Sequence, residues 1–267
     1  MMTPEENRAL DAIYDALTTL SEDNAELKEI WGRIIRGSTR YNDALNYAGS
    51  RGTILSEAIM REVTAEELTP GMAENVLRPL LEANRADIID AAKRIQGNIN
   101  RANGVKLDAV NPEADDMIEN LLQKLLGYEN PEDAMWLLDE PLKTQSRIFV
   151  DNTLKANAAA WDGVGIAPVI KRRAESNCCK WCRNLGSIYG KGVPYKGVDT
   201  EIFRRHQRCK CSIELTRDRK TEQTQNWRGL DQKEVTRNRH NFQRRIKYQA
   251  EKEAKEAEKR RLEIPKI

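Results

Sequence analysis

Residues 163–216 read GVGIAPVIKRRAESNCCKWCRNLGSIYGKGVPYKGVDTEIFRRHQRCKCSIELT, and the character of the chain changes across them. All five cysteines, Cys178, Cys179, Cys182, Cys209 and Cys211, fall inside these residues. IAPVIKR is short, β-branched and bounded by glycine, which predicts a strand. CSIELT at 211–216 predicts a second strand by its alternation. Between them Gly186, Gly190, Gly192, Pro194 and Gly197 mark a turn-rich insert. Residues 166–216 therefore read as a small, irregular α+β knuckle.

Upstream the chain reads as helix after helix. Leu10, Ile13, Tyr14, Leu17 and Leu20 recur at three-and-four spacing, one face of a helix. Ser21 is the expected N-cap of a second helix, and Gly37 its stop. A third is expected over much of 52–63. Pro70-Gly71 is a break. Beyond it Ile88, Ala92, Ile95 and Ile99 form another stripe, with Pro79 set to kink or start that helix. Asn111-Pro112 and Asn130-Pro131 are cap-plus-proline start signals. The first precedes Met117, Ile118, Leu121, Leu122, Leu125 and Leu126, the second EDAMWLLD. Pro141 opens a helix expected to run to about Trp161 and to break at Asp162-Gly163. No strand candidate precedes Gly165. The expected fold is mainly α: an elongated helical body over 1–165, the knuckle over 166–216, and a charged helical tail over 217–267. In that tail Glu251 with Lys255 and Glu256 with Arg260 are i,i+4 pairs in the favourable order.

Charge follows the same division. Residues 1–170 hold 17 Lys and Arg against 29 Asp and Glu, a net of −12, and residues 171–267 hold 27 against 13, a net of +14. A basic C-terminal third is a candidate surface for nucleic acid or an acidic protein. A solvated basic face is the plainer reading. No apolar run approaches the ~18 residues of a membrane span. The start, MMTPEENRAL, lacks the basic-then-apolar pattern of a signal peptide. A membrane protein, a secreted disulfide scaffold and a collagen-like fibre are not expected.

The chemistry is concentrated in Cys179-x2-Cys182, 23 intervening residues, then His206-x2-Cys209-x-Cys211. Zinc takes four soft or borderline ligands in a tetrahedron. A Cys-x2-Cys turn can present two thiolates to one ion, and Cys209 and Cys211, two apart on a strand, point to one face. Cys179, Cys182, His206, Cys209 and Cys211 are thus five candidates for four positions, with Cys178 a sixth. A disulfide or free thiols are the alternatives. Arg172, Arg173, Lys180, Arg204, Arg205 and Arg208 would help hold thiolates deprotonated. A knuckle of about 50 residues with so few large apolar side chains needs a staple, which favours a structural zinc. Trp181, Tyr189, Tyr195 and Phe203 are candidates either to stack bases or to pack around the knuckle. A Cys182–His206 protease lacks an orienting group. GSIYGKG lacks the spacing of a phosphate loop. A metal-finger nuclease would need His206 as its base, where it is better placed as a ligand.

Residues 149–214 resemble the phage minor head, or head morphogenesis, proteins of the Mu F-like family. The resemblance lies in VDNTLKANAAAWDGVGIAPVIKRRAESNCCKWCRNLGSIYG and VDTEIFRRHQRCKCSIEL, about a quarter of the chain. The FRRHxxCxC form is similar to versions in prophages of Gram-positive bacteria. By carry-over, Cys179, Cys182, His206, Cys209 and Cys211 are the motif positions. The family often has proline after the histidine, where this chain has Gln207, so the tightness of that turn is a point to test. The resemblance implies a non-enzymatic structural role in the virion head. The implied partners are the portal protein and the major capsid or scaffolding protein, inside the capsid or at the portal, with host cytoplasm as the place of assembly. DNA is a further candidate partner through the basic third, and no membrane is involved. The rival readings are a nucleic-acid-binding zinc knuckle and a metal-dependent nuclease.

Overall fold

Thr3 opens the first helix. Its hydroxyl accepts from the Glu6 backbone N–H at 3.1 Å while the Glu6 carboxylate takes the Thr3 N–H at 2.9 Å, and Pro4 stands at the first helical position. This is α1 (Pro4–Asp23) of a computed structural model that describes residues 2–196, 200–218 and Arg244. It is followed by α2 (Ala25–Ile35), α3 (Tyr41–Glu62), α4 (Pro70–Met72), α5 (Arg78–Ala102), α6 (Met117–Leu126), α7 (Glu140–Gly163) and α8 (Lys180–Tyr189). The strands are β1 (Pro168–Arg173), β2 (Val193–Pro194) and β3 (Ser212–Arg217). The fold is mainly helical with one small antiparallel sheet, ordered β2-β1-β3. The expected charged tail lies, from residue 219 on, outside the described residues except for Arg244.

Several boundaries differ from the sequence reading, each for a local reason. Ser21 does not cap the second helix but lies in the last turn of α1. Asn24 caps α2 instead, its side chain accepting from the Leu27 N–H at 2.8 Å. Gly37 does end that helix, just past the Arg36 cap and with φ at +96°. The third helix starts at Tyr41, eleven residues ahead of the expected 52, because Tyr41, Ala44, Leu45 and Ala48 continue its buried face. Asn111-Pro112 does not begin a helix. Asn157 of α7 pins the chain just before it outside any helix, donating to the Val110 carbonyl at 3.1 Å and accepting from its N–H at 2.9 Å, and α6 begins only at Met117. Asn130-Pro131 does open a helix, but a 3-10 one, Pro131–Leu138. Pro79 does stand in the first turn of its helix, as expected, without a break ahead of it. α4, a π-helical turn over Ala73–Leu77 and α5 run on directly, and the wider turn lies where proline has no N–H to offer the carbonyl four residues back.

α3 is the centre. It packs on α1, α2, α5 and α7, and α5 meets both α2 and α7. A buried polar chain ties the three inner helices. Tyr41 Oη donates to Gln96, Gln96 Nε2 donates to Asn100 Oδ1 at 2.6 Å, and Trp161 Nε1 donates to the same oxygen at 2.9 Å. Buried polar groups satisfied in this way specify one packing arrangement. The sheet rests on this body. Ile170 of β1 and Ile213 and Leu215 of β3 belong to the same apolar core as the inner helices.

The α3–α7 crossing depends on small residues. A Cβ added at Gly52 would lie 2.7 Å from Ser146 Oγ and 3.2 Å from the Lys143 backbone. Gly52→Val is therefore expected to overpack the crossing by about 1–3 kcal/mol and to lower the melting temperature by roughly 2–12 °C, read by thermal denaturation. An unchanged melt would show that the helices can separate at no cost.

Candidate metal centre

The module is built from two loops that β1 and β3 bring together. β1 pairs with β3 from Pro168–Arg217 to Arg173–Ser212, so the chain leaving β1 and the chain entering β3 emerge side by side. The first carries the Cys-x2-Cys element and the second the His-x2-Cys-x-Cys element.

The first half is a helix start rather than a bare turn. Cys179 is the N-cap of α8, its Sγ accepting from the Cys182 backbone N–H at 3.5 Å, and Cys182 sits in the first turn. The α8 helix was missed in the sequence reading, which took this region as turn-rich. The signal was present, since Trp181, Leu185 and Ile188 keep helical spacing behind a capping sulfur. A helix N-terminus favours a thiolate, and the Cys182 N–H holds the exposed Cys179 thiol below its ordinary range.

The second half is a tight turn. The Cys209 N–H donates to the His206 carbonyl at 3.1 Å, with Arg208 in the left-handed region at φ +60°. The turn closes with Gln207 directly after the histidine, the left-handed Arg208 supplying the reversal.

All five motif residues converge. Cys182 Sγ lies 2.9 Å from His206 Nε2, Cys179 Sγ lies 3.3 Å from the same nitrogen, and Cys182 Sγ lies 3.7 Å from Cys209 Sγ. The ligand atoms form two triads, Cys179–Cys182–His206 and Cys182–Cys209–Cys211, each within 4.8 Å, which share Cys182. Cys182, Cys209 and Cys211 are buried and Cys179 is exposed. Cys178 belongs to neither triad. His206 turns Nδ1 to the Gln207 carbonyl, which fixes that N–H and leaves Nε2 facing the sulfurs, the usual arrangement of a ligating histidine.

Two buried arginines hold the sulfurs from behind. Arg172 takes an inward position of β1 and is fully buried. It donates to the carbonyls of Ile202 at 2.6 Å and Arg204 at 2.7 Å and to Cys209 Sγ at 3.4 Å. Arg205 is likewise buried. It forms a two-pronged ion pair with Asp151 of α7, one arm 2.9 Å long, and reaches the Cys211 carbonyl at 2.9 Å and Cys209 Sγ at 3.7 Å. Burial pushes the Asp151 carboxyl up, and Arg205 pulls against it. Asp151 thus anchors the ligand loop to the helical body. Sequence reading had placed both arginines only among a basic surround and had not singled out Asp151. An arginine at an inward strand position was the one available signal.

The thiols are tuned apart by this setting. Cys209 is pulled down to about 4, first by the Cys211 thiol donating to it and then by Arg205, the Cys211 N–H and Arg172. Burial pushes Cys182 up to about 11. Cys211 is pushed up by its hydrogen bond to Cys209 and by burial. A divalent cation would replace these shared protons and hold the sulfurs that ligate it as thiolates. The aromatic side chains serve packing. The Trp181 ring lies under Arg172 at 5.4 Å and edge-on to His206 at 5.5 Å, and Tyr189, Tyr195 and Phe203 pack on the main core.

The fold and the site define a mainly helical protein whose small sheet module brings together a Cys/His cluster able to hold a metal ion. Comparison with family models, with curated proteins and with solved structures gave no match. Among the described residues no helix is long and apolar enough to cross a membrane.

Proposed function

We propose that the chain is a structural minor head protein of a phage or prophage virion, stapled by one zinc ion and carrying no catalytic activity. Its partners in this reading are the portal and the major capsid or scaffolding protein, met through the acidic helical body, with packaged DNA facing the basic third. The observation that carries the reading is the convergence of Cys179, Cys182, His206, Cys209 and Cys211, the five positions through which the sequence resembles that family.

Three features favour zinc in a structural role. The 3.7 Å between Cys182 and Cys209 sulfurs suits the ~3.8 Å edge of a tetrahedron with ~2.3 Å Zn–S arms. Arg172 and Arg205 bury two positive charges against the single negative charge of Asp151. A zinc ion with three thiolates and His206 carries a net charge of about −1 and closes that balance, which a four-thiolate site would overshoot. His206 engages both ring nitrogens, one toward the sulfurs and one toward Gln207, so neither is offered to a substrate as a general base.

The test is quantitative mass spectrometry of gradient-purified phage particles. A low, fixed copy number per particle, comparable with that of the portal, is expected. Absence from particles while the protein is abundant in the lysate would overturn the virion assignment.

A further inference from the structure

Two surfaces of the chain are complementary to each other, and no ion pair joins them among the described residues. The first lies where α6 passes into the 3-10 helix Pro131–Leu138. Leu126, Tyr128 and Trp136 are 36%, 40% and 48% exposed there, three large apolar side chains within eleven residues. Residues 125–142 carry Glu129, Glu132, Asp133, Asp139 and Glu140 and no lysine or arginine. Lys143 takes Asp139 and Glu140, at 2.6 and 3.9 Å. Glu129, Glu132 and Asp133 are exposed, and no ion pair engages them among the described residues.

The second surface is the outer face of α8. Its inner face buries Cys182 and Leu185. Ile188, one turn on from Leu185 at the edge of that face, is the most exposed of the large apolar side chains among the described residues at 62%. Lys180 and Arg183 stand one turn apart on the solvent side of α8, with Lys191 just past its end, all exposed and without an ion pair among the described residues. One surface is apolar and acidic, the other apolar and basic. They sit on opposite sides of the −12/+14 division of the chain, so the long-range field favours the same pairing.

We propose that the chain self-associates head to tail, the 126–136 face of one copy seating the α8 face of a second. Trp136 and Tyr128 are the residue types that anchor interfaces, and Ile188 is the apolar knob facing them. The carboxylates and ammonium groups form a charged rim that sets orientation and rate. Because the two faces differ, the contact is heterologous, so each copy has a free face left at either end and assembly proceeds to a ring or a filament. Like-face pairing would set acid against acid or base against base. This inference does not depend on the virion assignment.

Sedimentation velocity of the full-length, metal-loaded protein tests it. Association at micromolar concentration in 50 mM NaCl is expected, weakened about tenfold or more in 500 mM. Trp136→Ala removes one face and Ile188→Glu the other. Both side chains are exposed, and an unchanged melting temperature verifies that each variant folds. Each variant alone is expected to be a monomer where the parent associates. Their equimolar mixture is expected to form a 1:1 dimer that grows no further, since one good face of each kind remains. A parent that stays monomeric in low salt overturns the proposal. So does a single variant that still dimerises on its own, which would show a like-face contact.

Discussion

Cys182→Ala is expected to empty the metal centre and to unfold the loops it closes. Cys182 is buried and is the residue the two triads share, so leaving it out breaks both, whereas leaving out any other of the five breaks one. Structural zinc contributes about 10–16 kcal/mol of apparent binding energy in small zinc-finger peptides, far more than α8 and the 200–211 loop can supply by apolar burial. Metal per chain should fall from one to none, with hydrogen exchange rising steeply over 174–211. Sequence reading expects chelation to unfold all of 166–216. The structure narrows that range, because Ile170, Ile213 and Leu215 anchor β1 and β3 in the core of the helical body independently of the metal. Helicity of α1 to α7 should persist. Cys178→Ala, outside both triads, is the control and should keep its metal. Full metal content and full protection of α8 in Cys182→Ala would show that Cys182 is not a ligand and that the other four side chains suffice.

Asp151→Ala is expected to cost about 3–5 kcal/mol, the usual penalty for leaving a buried charge without its partner. The side chains of Arg205 and Asp151 are 0% and 2% exposed, so water cannot take the place of the lost carboxylate. For a chain of this size that corresponds to a fall of roughly 6–20 °C in melting temperature. The effect should reach the metal as well. Arg205 supports the carbonyls of Cys209 and Cys211, and losing such an outer contact typically lowers metal affinity about 10–100-fold. Competition against a chromogenic chelator reads the affinity. Asp151→Asn, which keeps the shape and one acceptor, should fall between parent and alanine variant. A melt and an affinity both equal to the parent's would mean that Arg205 finds another anion, and the anchoring role would be wrong.

The helical body and the ligand set were legible in the sequence because both are local. A stripe such as Leu121, Leu122 and Leu125 needs only the 3.6-residue period to bury one face, and Cys-x2-Cys and His-x2-Cys-x-Cys place their donors through short-range backbone geometry. The strands at 168–173 and 212–217 were legible by their β-branched and alternating residues. Helix starts were less so. Asn111-Pro112 carries a start signal as good as that of Asn130-Pro131, yet the Asn157 side chain, 47 positions from Val110 in sequence, takes both backbone groups of Val110, and α6 begins only at Met117. No local pattern encodes that contact.

What the sequence by itself determined is a mainly helical chain with a basic C-terminal third and five side chains able to bind a metal, arranged in two short clusters. What only the tertiary structure decided is how those clusters are held. The β1–β3 register sets the two loops side by side, Arg172 turns inward beneath the sulfurs, and Asp151 reaches from α7 to fix Arg205. The physical reason is that a charge in water is indifferent to its neighbours in sequence, whereas a buried charge must find an opposite one in space. In this chain the partners of Arg172 and Arg205 lie 30 to 54 positions away in sequence, apart from the short reach of Arg205 within its own loop.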